Sequence, residues 1–158
     1  DRELTAIQDR IPHNHCYGCG PENPDGLQIK SFWDGEVSTC TYVPRPEQCA
    51  GPTRYLYGGL IASLIDCHGT GTAAAAAYRK AGREPGTEPP FRFVTASLSV
   101  RYLRPTPMGV PLEVRGTVAE IKGRKVVVKA TVSAAGEVCA TGEVVAVEMP
   151  ENMVPGRA

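Results

Sequence analysis

The sequence predicts an α+β domain in which a curled antiparallel sheet of about six strands wraps around one long central helix. Three observations lead there. Residues Tyr57 to Ala77, and on to about Lys80, are apolar or small on nearly every side of a helical projection, which marks a helix that is buried rather than laid on a surface. The segments on either side have strand-like patterns and are joined by short turns. Their order is two strands, the helix, then four strands. One helix among six strands must cross one face of an antiparallel sheet that curls to cover its sides. The 158 residues suit one domain with a real core.

In chain order, residues 1–25 form an N-terminal arm and a cysteine-containing loop. Leu4, Ile7 and Ile11 give the arm a weakly amphipathic pattern that Pro12 ends. Leu27 to Phe32 alternates at period two, Asp34-Gly35 is a hairpin signal, and Glu36 to Val43 is the returning strand. Residues 44–56 are punctuated by Pro44, Pro46, Gly51 and Pro52 and form a loop. The helix carries Arg79 and Lys80 in its last turn and Gly82 as a C-terminal cap. After a second loop come strands at Phe91 to Leu103, Leu112 to Glu120, Val126 to Ser133 and Val138 to Met149. The basic turn Lys122 to Lys125 and the turn Ala134 to Gly136 connect the last three, and residues 150–158 read as a tail.

Composition excludes several classes of function. Seventeen basic and seventeen acidic residues give a formal net charge of zero, so no overall field recruits nucleic acid or an anionic membrane. No apolar run approaches the ~20 residues of a transmembrane span, and Asp1-Arg2-Glu3-Leu4 does not open a signal peptide. A cytoplasmic location is expected. The six cysteines are spread through strand-like and helix-like segments of a chain too long to need staples, and are expected to be reduced.

His13-Asn14-His15-Cys16-Tyr17-Gly18-Cys19-Gly20 admits a structural loop, a metal site or a redox pair. A structural zinc site wants two separated ligand pairs, whereas these four candidate ligands lie within seven residues. A redox pair would open a helix after a strand, but turn chemistry follows here. The expectation is a loop without metal.

The run Tyr57-Gly58-Gly59-x-x-x-x-Leu64-x-Asp66 is similar to the H-G-G-x-x-x-x-L-x-D motif of the hotdog-fold acyl-CoA thioesterases. With the strand Ser97 to Pro107, the upstream Cys-x-x-Cys-Gly, Asn23-Pro24 and Gly26-Leu27, the chain resembles the PaaI/THEM-like branch over roughly residues 16–148. The motif's leading histidine is Tyr57 here. The resemblance implies a hotdog fold, hydrolysis of an acyl-CoA to free acid and CoA, and no cofactor, since CoA belongs to the substrate. It also implies a homodimer, with a dimer of dimers as the larger assembly, and a site shared between two subunits.

The residues support that chemistry on their own terms. Thioester hydrolysis needs one group to polarise the carbonyl and another to attack it or to activate water. Unpaired N–H groups at a helix start, left accessible by Gly58 and Gly59, suit a developing oxyanion. Asp66, the single carboxylate in the helix, supplies the base or the nucleophile. Gly58 and Asp66 are eight residues apart, about 12 Å along a helix, so one carbonyl cannot touch both. Two antiparallel helices from two subunits would bring the start of one to the carboxylate of the other. The helix pattern calls for the same partner, because one sheet leaves a stripe of it uncovered.

Thr70, one turn after Asp66, would orient the carboxylate or the water, or bond back to its own helix. His68 lies about 200° around the helix from Asp66 and is read as a satisfied core or interface histidine. Tyr57, Gln48 and Ser63 are candidates for substrate binding; Gln48 is the nearest counterpart of a loop Asn or Gln that positions water in many relatives. Arg54, Arg101, Arg104 and the turn with Arg124 and Lys125 are candidates for the CoA phosphates. The rival reading is a hotdog protein that binds acyl-CoA or another small ligand without hydrolysing it. A hotdog hydratase would need a catalytic histidine ahead of the helix in another motif, and none is evident.

Overall fold

A computed structural model describes residues 2–153. Among the described residues, six strands, β1 (Phe32–Asp34), β2 (Val37–Tyr42), β3 (Phe93–Tyr102), β4 (Leu112–Lys122), β5 (Lys125–Ala134) and β6 (Glu137–Glu148), surround one α-helix, α1 (Gly58–Lys80). They form a single antiparallel sheet in the order β1-β2-β4-β5-β6-β3. This is the hotdog arrangement: α1 packs along the inner faces of β3 to β6, with a lighter contact to β2.

The helix forms where expected and ends as its residues dictate. Gly82 adopts φ +68°, the Gly82 N–H donates to Arg79 O (3.0 Å) and the Arg83 N–H to Tyr78 O (2.9 Å). That pair of bonds is the Schellman closure, and it satisfies carbonyls that the helix itself leaves open. Leu60, Ile61, Leu64 and Ile65 are buried in one cluster with Val114, Val128, Val132 and Val144 of the sheet, while the buried Tyr78 meets Phe91 edge-on. Transfer of such side chains out of water is worth about 1.5–3 kcal/mol each.

The first strand lies later than its alternation suggested. Gln28 sits at φ +57°, which breaks the run from Leu27, and only Phe32–Asp34 joins the sheet. The inward alternation of Ile29, Ser31 and Trp33 is kept, but Ile29 bonds the cysteine loop at Gly18 and the next two meet the N-terminal arm. The Ile7 N–H donates to Ser31 O (2.7 Å) and the Glu3 N–H to Trp33 O (2.8 Å). The arm holds a short 3-10 turn at Gln8–Arg10, and Ile7 packs with Trp33, Ala75 and Ala76. Its residues therefore cover one flank of α1 as well as the β1 edge. At the other edge, β3 pairs only with β6 among the described residues, and Thr95 to Ser99 are exposed. A bare edge is a template for another strand.

The loop before the helix contains a 3-10 turn at Pro46–Gln48. The predicted tail begins with another at Glu151–Met153, and its remainder lies outside the described residues. No helix among the described residues is long and apolar enough to cross a membrane.

Candidate active site

The uncovered stripe of α1 runs through Gly58, Gly59, Ala62, Ser63, Asp66 and Thr70, all half-buried in a helix whose other positions as far as Ala76 are buried. The residues repeat at three- and four-residue intervals, so they share one face. Two pieces of chemistry sit on it: the helix start and a carboxylate, eight residues and about 12 Å apart.

At the helix start, Tyr57 is the cap residue, with φ −58° and ψ 126°. The first-turn N–H groups of Gly58 and Gly59 have no helical carbonyl ahead of them. The Tyr57 ring lies over Gly59, so close that a Cβ built on Gly59 would fall 2.3 Å from it. Tyr102 of β3 donates its hydroxyl to Gly58 O (2.7 Å). The two exposed tyrosines thus frame the glycine pair. Beside it opens a cleft of about 400 Å³ lined by Leu56, Gly58, Ile61, Tyr102, Leu103 and Arg104. Gln48 supports this end from behind. Its carbonyl accepts the Tyr57 N–H (3.0 Å), while its side-chain amide donates to the Tyr42 hydroxyl (2.9 Å) and accepts the Arg45 N–H (2.8 Å). Its side chain is committed to the loop, and it acts on the site by placing the Tyr57 backbone.

Asp66 accepts a hydrogen bond of 2.5 Å from the Thr95 hydroxyl of β3. The β3/β6 register slips between Thr95 and Ser97, and such a bulge re-aims the side chains next to it. Thr70 does not reach the carboxylate: its hydroxyl donates to Asp66 O (3.1 Å) and Cys67 O (3.3 Å). Ser63 likewise donates to Gly59 O (2.9 Å). Both hydroxyls are turned back onto their own helix, and the group that touches the carboxylate comes from β3, with no local signal in the sequence.

His68 lies on the opposite face, fully buried. Its Nδ1 is 2.8 Å from Ser31 Oγ and its Nε2 is 2.8 Å from Ser38 Oγ. Gln8 Nε2 donates to Ser31 Oγ (3.0 Å), so the Ser31 proton is free to go to Nδ1 and the Nε2–H to Ser38. Burial pushes the imidazole down to about 4, keeping it neutral. It is a core group with both nitrogens satisfied.

The basic candidates are dispersed. Arg104 borders the cleft and pairs with Glu137 (2.5 Å). Arg54 stacks on Tyr55. Arg101 sits on the outer face of the sheet in a basin of about 770 Å³ with Arg115, Lys129 and Glu143. Arg124 and Lys125 occupy the β4–β5 turn, and Lys125 lies 3.8 Å from Glu120. One chain does not bring them to Asp66. The cysteine loop packs against the helix at Cys67, a contact the local reading of Cys16 and Cys19 lacked. All six cysteines are free thiols.

A family model described as the thioesterase superfamily matches residues 54–147, more than half of the chain. Acyl-coenzyme A thioesterase THEM4 from Xenopus laevis is 34% identical over 87 residues, which are 55% of this chain and 33% of that protein; the chain spans about a third of the length of that curated relative. Among solved structures, a thioesterase superfamily protein from Shewanella loihica PV-4 is 46% identical, with a TM-score of 0.67 over 87% of this chain and 96% of the other. The PaaI protein of the Escherichia coli phenylacetic acid degradation operon shares the fold, with a TM-score of 0.63 at 15% identity, over 78% and 81% of the two chains.

Proposed function

The chain belongs to the thioesterase superfamily, and from that premise we propose that it hydrolyses an acyl-CoA to the free acid and CoA at two equivalent sites, each shared by two copies of the chain. The observation that carries this reading is the uncovered stripe. It holds a helix start with free N–H groups and a single carboxylate, too far apart to meet in one chain, and it runs beside the bare β3 edge. A second copy related by a twofold axis would extend the sheet through β3, cover the stripe and bring Gly58 of one subunit to Asp66 of the other.

In that site the Gly58 N–H, helped by Gly59, holds the thioester oxygen as it gains charge. Asp66 removes a proton from water as the water oxygen bonds to the carbonyl carbon; the C–S bond then breaks and the CoA thiolate leaves. The direct alternative is attack by Asp66 to give a mixed anhydride, which water then opens. The Thr95 hydroxyl keeps the carboxylate aimed in either route. The cleft beside Gly58 takes the acyl group, with Tyr57 in the place of the family's histidine and Tyr102 opposite. Arg104 at the cleft mouth and the Arg124/Lys125 turn meet the phosphates, and no cofactor is required.

The test is a panel of aryl, short, medium and long acyl-CoAs assayed with a thiol reagent. Turnover of at least one class is expected. Tight binding of one member without release of thiol from any would replace hydrolysis with a ligand-binding role.

A further inference from the structure

Apart from the Asp66 stripe, the molecule gathers three thiols from two distant parts of the chain. Cys16 and Cys19 come from the N-terminal loop and Cys67 from the middle of α1. Their sulfurs all lie within 4.8 Å of one another, and Cys16 Sγ is 3.9 Å from Cys67 Sγ. We propose that Cys16, Cys19 and Cys67 form a structural metal site for a soft divalent cation, Zn²⁺ by chemical class, with the fourth position opening toward the cavity that His13 borders.

The geometry is that of a ligand set. A tetrahedral zinc with Zn–S bonds of about 2.3 Å has sulfurs about 3.8 Å apart, close to the 3.9 Å between Cys16 and Cys67. A disulfide requires about 2.05 Å. The loop is built to hold the arrangement. The Gly20 N–H donates to Cys16 O (2.8 Å), the Cys16 N–H to Asn14 Oδ1 (3.1 Å), and the Leu27 and Ile29 N–H groups bond Tyr17 O (2.7 Å) and Gly18 O (3.0 Å). Gly18 presses on the helix so closely that a Cβ there would fall 2.3 Å from Cys67 Sγ; any side chain at position 18 would expel the third sulfur. His13 lines a cavity of about 290 Å³ together with Cys16, Cys19 and Thr70, which gives a nitrogen or water ligand access to the fourth position. Along the sequence, no second cysteine pair follows the Cys-x-x-Cys. The helix supplies the third sulfur.

A cation bound by the three sulfurs would displace their thiol protons. Since Cys67 follows Asp66 directly, the ion would tie the N-terminal loop to the stretch of α1 that presents the carboxylate.

The test is titration of the reduced, chelator-stripped full chain with Co²⁺, followed by competition with Zn²⁺. The expected result is saturation at one Co²⁺ per chain with an intense thiolate-to-cobalt absorption, its displacement by Zn²⁺, and a rise in Tm on metal binding. Cys67→Ser and Cys16→Ser should each weaken binding at least a hundredfold, a loss no smaller than that of an outer-shell partner, about 10–100-fold. Cys49→Ser, outside the cluster, should bind like the wild type. Cys16 is exposed, so its variant carries the test even where Cys67→Ser fails to fold. Absence of a thiolate-to-cobalt band, or a band that survives both Cys16→Ser and Cys67→Ser, overturns the proposal. The readout is independent of whether the protein hydrolyses thioesters.

Discussion

Asp66 and His68 stand two residues apart on the same helix, and the fold treats them in opposite ways. His68 faces the sheet, where Gly116 leaves room for its ring: a Cβ there would sit 3.0 Å from the imidazole. Its nitrogens are consumed by a chain of polar groups running from Gln8 through Ser31 to the imidazole and on to Ser38. Asp66 faces the stripe, keeps partial access to solvent and has one side-chain donor, Thr95. The difference teaches how to read a polar residue in an apolar helix. A buried group with every valence filled belongs to stability. One left partly open, in line with a free helix start, is available for chemistry.

Neutralising each residue in turn separates the two roles. Asp66→Asn keeps the shape and an acceptor for Thr95, so kcat should fall by about 10²–10⁴ with an unchanged denaturation curve. Normal turnover by this variant would remove Asp66 from the mechanism. Gly58→Pro is the matching change at the other end of the stripe. Position 58 is the first helical residue, where proline is favoured, and Tyr57 already has the backbone geometry that proline demands of its predecessor. A Cβ there meets Tyr102 at an ordinary 3.5 Å. The loss is confined to the N–H, and kcat should drop about 10²–10³ with stability unaltered.

His68→Leu should do the reverse. Loss of the buried imidazole takes one hydrogen-bond partner each from Ser31 and Ser38 and costs about 2–4 kcal/mol in a denaturant titration, while the remaining folded enzyme turns over normally. The pH dependence has a definite sign. The unfolded histidine takes its proton near 6.5 and the folded one resists until about 4, so its contribution is complete above pH 6.5 and is lost as pH falls through that window. On the order of 3 kcal/mol is at stake, and the variant should lack this part of the acid limb. Thr95→Val is the mildest test. It removes one donor from a partly exposed carboxylate, so kcat should fall about tenfold and stability change by less than about 1 kcal/mol; an unchanged kcat would make Thr95 a bystander.

Much of the fold was legible because its signals are local. The helix from Gly58 to Lys80, the cap at Gly82 and the turns at Gly35, Gly123 and Gly136 depend on residues within a few positions. The motif around Gly58 and Asp66 was legible for the same reason. What escaped was set by distant partners. Leu27 to Phe32 alternates like a strand, yet Gln28 turns the chain, and the segment bonds the cysteine loop at Leu27 and Ile29 and the arm at Ser31. Thr70 looks well placed for the carboxylate by helical spacing, but the donor is Thr95, 29 residues on and aimed by a bulge. The third thiol, Cys67, lies 51 residues from Cys16 and became its neighbour only through packing. The basic residues were visible one by one, but their dispersal over three surfaces was not.

In the shared site each helix start comes from one subunit and each carboxylate from the other. Asp66→Asn and Gly58→Pro subunits, each inactive alone, can be mixed under conditions that exchange subunits. Random pairing makes half of the dimers mixed, and each mixed dimer has one site with both groups intact, so activity should rise to about a quarter of the wild-type value. A mixture that stays at the level of its two inactive parents would contradict the shared site.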